Sequence, residues 1–218
     1  MYRRAAAACL ALALLSPTPP PASAAAQDMD SYVRARMAAT DTPGLAYAVV
    51  GPEGVEHQGV FGVDGHGEPV TEETPFLWGS VAKPVTATAA LVLAEEGRLD
   101  LDAPVEEYLP EFAAFGAEPT VRDLLTHSSG ITEANTVATF DVYEAGSAEF
   151  APRVGRIAAS EVGDPGTHAY SSANYLLLGA VVERVTGEDF GDYLREAVLD
   201  PVGMDTAFTG ARRPRRRG

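Results

Sequence analysis

Apolar positions recur along the chain in two different periods. Met29, Val33 and Met37 form one stripe, which predicts a helix from about Asp28 to Thr40, ending before Pro43-Gly44. Leu45 to Val50 is an apolar, β-branched run closed by Gly51-Pro52-Glu53-Gly54, and a second run covers about Val55 to Val63. Two such runs across a short Gly/Pro turn predict a β-hairpin. Asp64-Gly65-His66-Gly67 is a further turn, and Phe76-Leu77-Trp78 is expected as a short extended segment. From Ser80 to about Glu96, Val85, Ala89 and Val92 keep helical spacing, and Gly97 supplies the stop. Thr120-Val121-Arg122-Asp123-Leu124-Leu125 starts another helix. The pattern from Phe140 to Ser160 is blurred, with helical pieces and loops, and Gly163-Asp164-Pro165-Gly166 is a loop. Ser171 to Thr186 carries the stripe Tyr175, Leu178, Val182 and Val185 and stops at Gly187, and Asp189 to Leu199 forms the last helix.

The amino end does not join this pattern. Arg3 and Arg4 precede an apolar run from Ala5 to Leu15, then a Pro-rich stretch and small-x-small sites at Ala22-Ser23-Ala24 and Ala24-Ala25-Ala26. That order predicts a secretory leader over residues 1–26, with a run too short to span a bilayer. The expected location is therefore the exterior of a bacterial cell, with no stable membrane insertion after cleavage. Cys9 is the sole cysteine, so a chain cleaved near Ala26 has none, which excludes disulfides, thiol catalysis and Cys-ligated metals. The remainder is expected to form one substantial domain over residues 27–210, with 211–218 a disordered basic tail. Net charge is -15, and Arg212, Arg213, Arg215, Arg216 and Arg217 hold many of the few cations, so the body is more acidic still. Such a body repels nucleic acid and anionic membranes.

Candidate chemistry centres on Trp78-Gly79-Ser80-Val81-Ala82-Lys83-Pro84. Lys83 is the single lysine in a sequence otherwise supplied with arginine. Three residues is nearly one helical turn, so the ends of Ser80 and Lys83 can meet. Serine is a weak nucleophile and needs a base, and a lysine amine serves when its surroundings favour the neutral form. At a helix start, Ser80 also sits near free N–H groups and the positive end of the helix dipole, where negative charge on an attacked carbonyl is stabilised. Tyr170, at the amino end of the next long helix on a Gly/Pro-rich loop, is the second candidate, able to share a proton with Ser80 once Lys83 and the helix field lower its pKa. Ser172 either binds substrate or caps the helix, whereas Asn174 is expected to cap. His127, His168 and the other two histidines lack metal-ligand spacing.

Together the Ser80-to-Lys83 stretch, Leu124-Leu125-Thr126-His127-Ser128-Ser129-Gly130-Ile131, Tyr170-Ser171-Ser172 and Val202-Gly203-Met204-Asp205-Thr206 resemble the class C serine β-lactamases, with the related D-alanyl-D-alanine carboxypeptidases and β-lactamase-like esterases. The resemblance covers about Tyr32 to Gly210. It implies an α+β fold, an antiparallel sheet flanked by helices plus a mostly helical region. It also implies a serine hydrolase in which Ser80 is acylated, Lys83 activates it and Tyr170 shuttles the proton. Ser172 stands where the family more often has Asn and is expected to alter substrate contacts. The His127 segment is structural in this family. Neither cofactor nor metal is implied. The substrate is a small molecule or peptidoglycan peptide: a β-lactam, a D-Ala-D-Ala peptide or a small ester. The family's third motif, Lys-Thr-Gly or His-x-Gly, does not occur after Tyr170. The resemblance therefore also implies carboxyl-terminal truncation with late strands missing, and the competing expectation is an inactive fragment that at most binds.

Overall fold

The computed structural model describes residues 22–137, 139 and 149–207. The leader as far as residue 21, the 140–148 part of the blurred stretch and the 211–218 tail lie outside them. Backbone contacts divide the chain between Thr74 and Pro75 into two compact units.

In the first unit, helix α1 (Ala22–Thr40) precedes strands β1 (Gly44–Gly51) and β2 (Gly54–Gly62). The strands pair antiparallel as the hairpin expected from the Gly/Pro turn, with a bulge at Val49/Val50. The helix starts about six residues earlier than its apolar stripe predicts. Alanine has the highest helix propensity, so the small-residue run that suggests a cleavage site equally favours helix. Val33 is the buried residue of the stripe. Asp30 ties α1 to the hairpin: its Oδ1 accepts from the Tyr47 hydroxyl at 2.5 Å and lies 3.2 Å from His57 Nε2. Burial, then the bond to Asp30, push the Tyr47 phenol up to about 12. The Arg34 guanidinium stacks over Phe61 at 4.4 Å.

In the second unit, a 3-10 turn (Gly79–Ala82) runs into α2 (Lys83–Glu95). The short helices α3 (Val105–Tyr108), α4 (Val121–Thr126) and α5 (Glu133–Val137) follow, then α6 (Phe150–Ala158), α7 (Ser172–Thr186) and α8 (Phe190–Leu194). Trp78 is helical, at φ -75 and ψ -23, rather than extended, because it already heads the 3-10 turn. The helix expected from Asp189 to Leu199 changes to a π turn after Leu194. Helix α7 is the hub, packing on α2, α4, α6 and α8. Its Leu177, Leu178, Val181 and Val182 are fully buried beside Ala89, Ala90 and Leu93 of α2 and Val154 and Ile157 of α6. Gly179 permits the α6 approach, since a Cβ there would lie 2.6 Å from the Phe150 ring. Gly97 and Gly187 close α2 and α7 in left-handed conformation, as expected.

Because this core holds both helices that carry the candidate residues, Leu177→Ala is expected to destabilise the chain by about 2–5 kcal/mol. Urea denaturation followed by far-UV circular dichroism measures it. An unchanged midpoint would contradict the hub role of α7.

Candidate active site

Lys83 begins α2, with Pro84 in the first turn where its missing N–H is tolerated. The 3-10 turn ahead of it holds Ser80 nearly one turn away. That turn starts from Gly79 at φ +52, a left-handed conformation that a side chain would strain. Opposite, Ser171 caps α7: its Oγ accepts from Ala173 N–H at 3.2 Å and donates to the Thr132 carbonyl at 2.8 Å. The cap is therefore Ser171 and not Ser172. Asn174 is not a cap either: it is buried within the first turn of α7 and bonds Ser129 and His127.

Tyr170 arrives by a pinned route. The 127–130 segment turns out of α4 with His127 in the left-handed region (φ 58). A capping box between Thr120 and Asp123 starts α4, and Asp123 also accepts from the Ser128 hydroxyl at its far end. The backbone of this segment then holds the loop before Tyr170: Gly163 N–H donates to Gly130 O, Gly166 N–H to Ser128 O and Ala169 N–H to His127 O, at 2.7–2.8 Å.

These supports bring the four sequence-derived residues together across ninety positions. Ser80 Oγ lies 2.6 Å from Tyr170 Oη, and Lys83 Nζ donates to Ser80 Oγ at 3.1 Å and to Ser172 Oγ at 3.2 Å. Lys83 Nζ also sits 4.9 Å from the Tyr170 ring centroid. Hydrogen bonding to Lys83, then to Ser80, holds the Tyr170 phenol below its ordinary value of 10. The site is open: Tyr170 is 47% exposed. An open groove of about 460 Å³ lies elsewhere, bordered by Leu109, Phe150, Val154, Ala180 and Arg184, and none of the four residues lines it.

A family model described as Beta-lactamase matches residues 29–218. The chain belongs to the beta-lactamase family. It is 37% identical over 177 residues to penicillin-binding protein 4 of Amycolatopsis lactamdurans, covering 77% of this chain and 45% of that protein. It is 35% identical over 161 residues to esterase EstB of Burkholderia gladioli, covering 66% of this chain and 41% of that one. Among solved structures, the octameric penicillin-binding protein homologue from Pyrococcus abyssi superposes with a TM-score of 0.72 at 29% identity, over 85% of this chain and 44% of that one. The chain thus spans less than half the length of each of these three relatives. The α+β, beta-lactamase-like architecture expected from the resemblance holds, and among the described residues its sheet has two strands.

Behind the four residues lies a layer of His127, Ser129, Glu133, Thr136 and Ser171; the His127–Ser129 segment was expected to be structural, whereas Glu133 and Thr136 were not singled out by the sequence. Glu133 accepts from Ser172 N–H at 3.3 Å, and Thr136 accepts from Ala173 N–H at 2.9 Å. A serine at a helix start was the available signal for Ser171, but the adjacent Ser172 carries the same signal.

The two serines are separable by experiment. Ser172→Ala removes one acceptor of Lys83 but no cap, so it is expected to slow acylation about fivefold, near 1 kcal/mol for one hydrogen bond, at unchanged stability. Ser171→Ala is expected to lose about 1 kcal/mol of stability. Fluorophosphonate labelling rates and urea midpoints check both, and the reverse assignment of effects would contradict the geometry.

Proposed function

We propose that the chain carries the nucleophile half of a secreted serine hydrolase that forms an acyl-enzyme at Ser80. The observation that carries this reading is the hydroxyl of Ser80 between the Tyr170 phenol and the Lys83 amine, at 2.6 and 3.1 Å. Lys83 donates to Ser80 Oγ, which leaves the Ser80 proton directed at Tyr170 Oη. A phenol held below its ordinary value is suited to take that proton. Ser80 Oγ then bonds to the carbonyl carbon, and the amino end of α2 stabilises the oxyanion. The bond to the leaving amine or alcohol breaks as Tyr170 returns the proton, and water releases the acyl group by the same proton route. Ser172 fixes Lys83 and meets the bound substrate. No step calls for a cofactor or metal.

The substrate class is an amide or ester: a β-lactam, a D-Ala-D-Ala peptide or a small ester. The relatives named penicillin-binding protein and esterase support this range. Export across the membrane rests on the leader-like order of the first 26 residues. No helix among the described residues is long and apolar enough to cross a membrane.

Intact mass spectrometry after acid quench tests the reading, with benzylpenicillin, a D-Ala-D-Ala peptide and p-nitrophenyl butyrate as acyl donors. At least one donor is expected to add its acyl mass to the chain. A folded chain that acquires no acyl mass from any of them would contradict the proposal.

A further inference from the structure

His127 stands behind Tyr170 and takes no part in the proton route above. Its ring lies 4.8 Å from the Tyr170 ring, tilted by 35°, and 5.2 Å from the Tyr175 ring. Its Nδ1 receives two donors, Ser171 N–H at 3.2 Å and Asn174 Nδ2 at 3.1 Å. The orientation of the Asn174 amide follows from a third bond. Ser129 Oγ already accepts from Ile131 N–H, so its own proton goes to Asn174 Oδ1 at 2.6 Å, which turns the Asn174 NH₂ towards the imidazole. Two converging donors leave Nδ1 only the role of acceptor, so the neutral ring carries its proton on Nε2.

Resting on the acyl-enzyme reading of Ser80, we infer that His127 is a positioning residue for Tyr170, a neutral imidazole that holds residues 170–171 through its Nδ1 and its face, and releases them when protonated. An imidazolium has a proton on Nδ1 and can accept from neither Ser171 nor Asn174. Ser171 is the residue next to Tyr170, so the loss falls directly on the backbone that aims the phenol at Ser80. The surroundings oppose protonation. Burial lowers the His127 pKa first, the neighbouring His168 and Lys83 lower it further, and Glu133 partly offsets them. His168 packs edge-on at 5.9 Å, and Tyr170, from the loop before α7, and Tyr175, from α7 itself, cover His127. The acid form is therefore populated below 6.5, and the site is disarmed there by displacement of Tyr170, in addition to protonation of the phenolate itself.

The test combines NMR of the 218-residue chain with acylation kinetics. Labelling with ¹⁵N-histidine, assigned with His127→Asn, is expected to show the Nε2–H tautomer. Labelling of tyrosine ring carbons is expected to show Tyr170 signals moving with the His127 midpoint, below 6.5. Asparagine tolerates the left-handed backbone and offers Oδ1 where Nδ1 stood, but it neither titrates nor stacks. His127→Asn is expected to acylate ten- to a hundredfold more slowly, on the order of a small misplacement of a reacting group. On acidification its rate falls in first order in proton concentration, where the parent steepens to second order. An Nδ1–H tautomer, Tyr170 signals indifferent to the His127 midpoint, or a variant whose pH profile coincides with the parent would each overturn the inference. If the parent itself is not acylated, the acyl-enzyme reading fails, while the NMR result on Tyr170 still decides the positioning role.

Discussion

Lys83→Met is expected to lower the rate of Ser80 acylation by about 10³-fold, within the range for loss of a positioned proton-transfer group. Methionine keeps the length of the side chain and a good helix propensity, so α2 remains intact. What disappears is the amine that donates to Ser80 Oγ and Ser172 Oγ and lies over the Tyr170 ring. Tyr170 loses with it the first of the causes that hold its pKa down. The damage is therefore double: the serine loses a partner and the phenol becomes harder to ionise. Stopped-time fluorophosphonate labelling measures the rate, and circular dichroism checks the fold. A variant as reactive as the parent would remove Lys83 from the mechanism. Lys83→Arg is not a neutral exchange, because the longer, planar guanidinium does not reproduce the compact amine that donates to both Ser80 Oγ and Ser172 Oγ.

Tyr170→Phe is the second large effect, about 10²- to 10³-fold. Phenylalanine keeps the ring that packs on His127, so the loss reports the hydroxyl alone. The pH dependence carries the sharper signature. If Tyr170 accepts the Ser80 proton as phenolate, the parental rate rises as pH climbs through the Tyr170 pKa and levels off above it. Bonds from Lys83 and Ser80 hold that pKa below 10, so the plateau begins on the near-neutral side of a free tyrosine. Tyr170→Phe is expected to lose this rise altogether. A variant that keeps the rising limb would assign the base to another group.

The hairpin and the ends of the long helices were legible because each has a local cause: a Gly/Pro turn between apolar runs, and left-handed Gly97 and Gly187 after the last apolar turn. The Ser80–Lys83 pair was legible for the same reason, since spacing along one turn is a local property. Its meeting with Tyr170 across ninety residues was not. Residue types suggested it and the family resemblance implied it, but no periodicity encodes it. Two adjacent serines at the start of α7 illustrate the limit more finely. Either can cap, and only the backbone phase decides that Ser171 turns inwards while Ser172 faces Lys83. The segment of His127 was expected to be structural, but its contacts were not legible, because a non-glycine residue at φ 58 leaves no mark in the sequence and the partners of its Nδ1, Ser171 and Asn174, lie 44 and 47 positions away. At the amino end, one alanine-rich stretch satisfies both a leader's cleavage pattern and helix propensity, so the α1 boundary moved.

The proposed chemistry requires Ser80 to be the nucleophile of an assembled Ser80–Lys83–Tyr170 site. Intact mass of the chain after incubation with a fluorophosphonate, beside Ser80→Ala, tests that most directly. The expected result is a single phosphonyl adduct on the parent and none on the variant. A folded parent that remains unmodified, or an adduct that persists in Ser80→Ala, would contradict it.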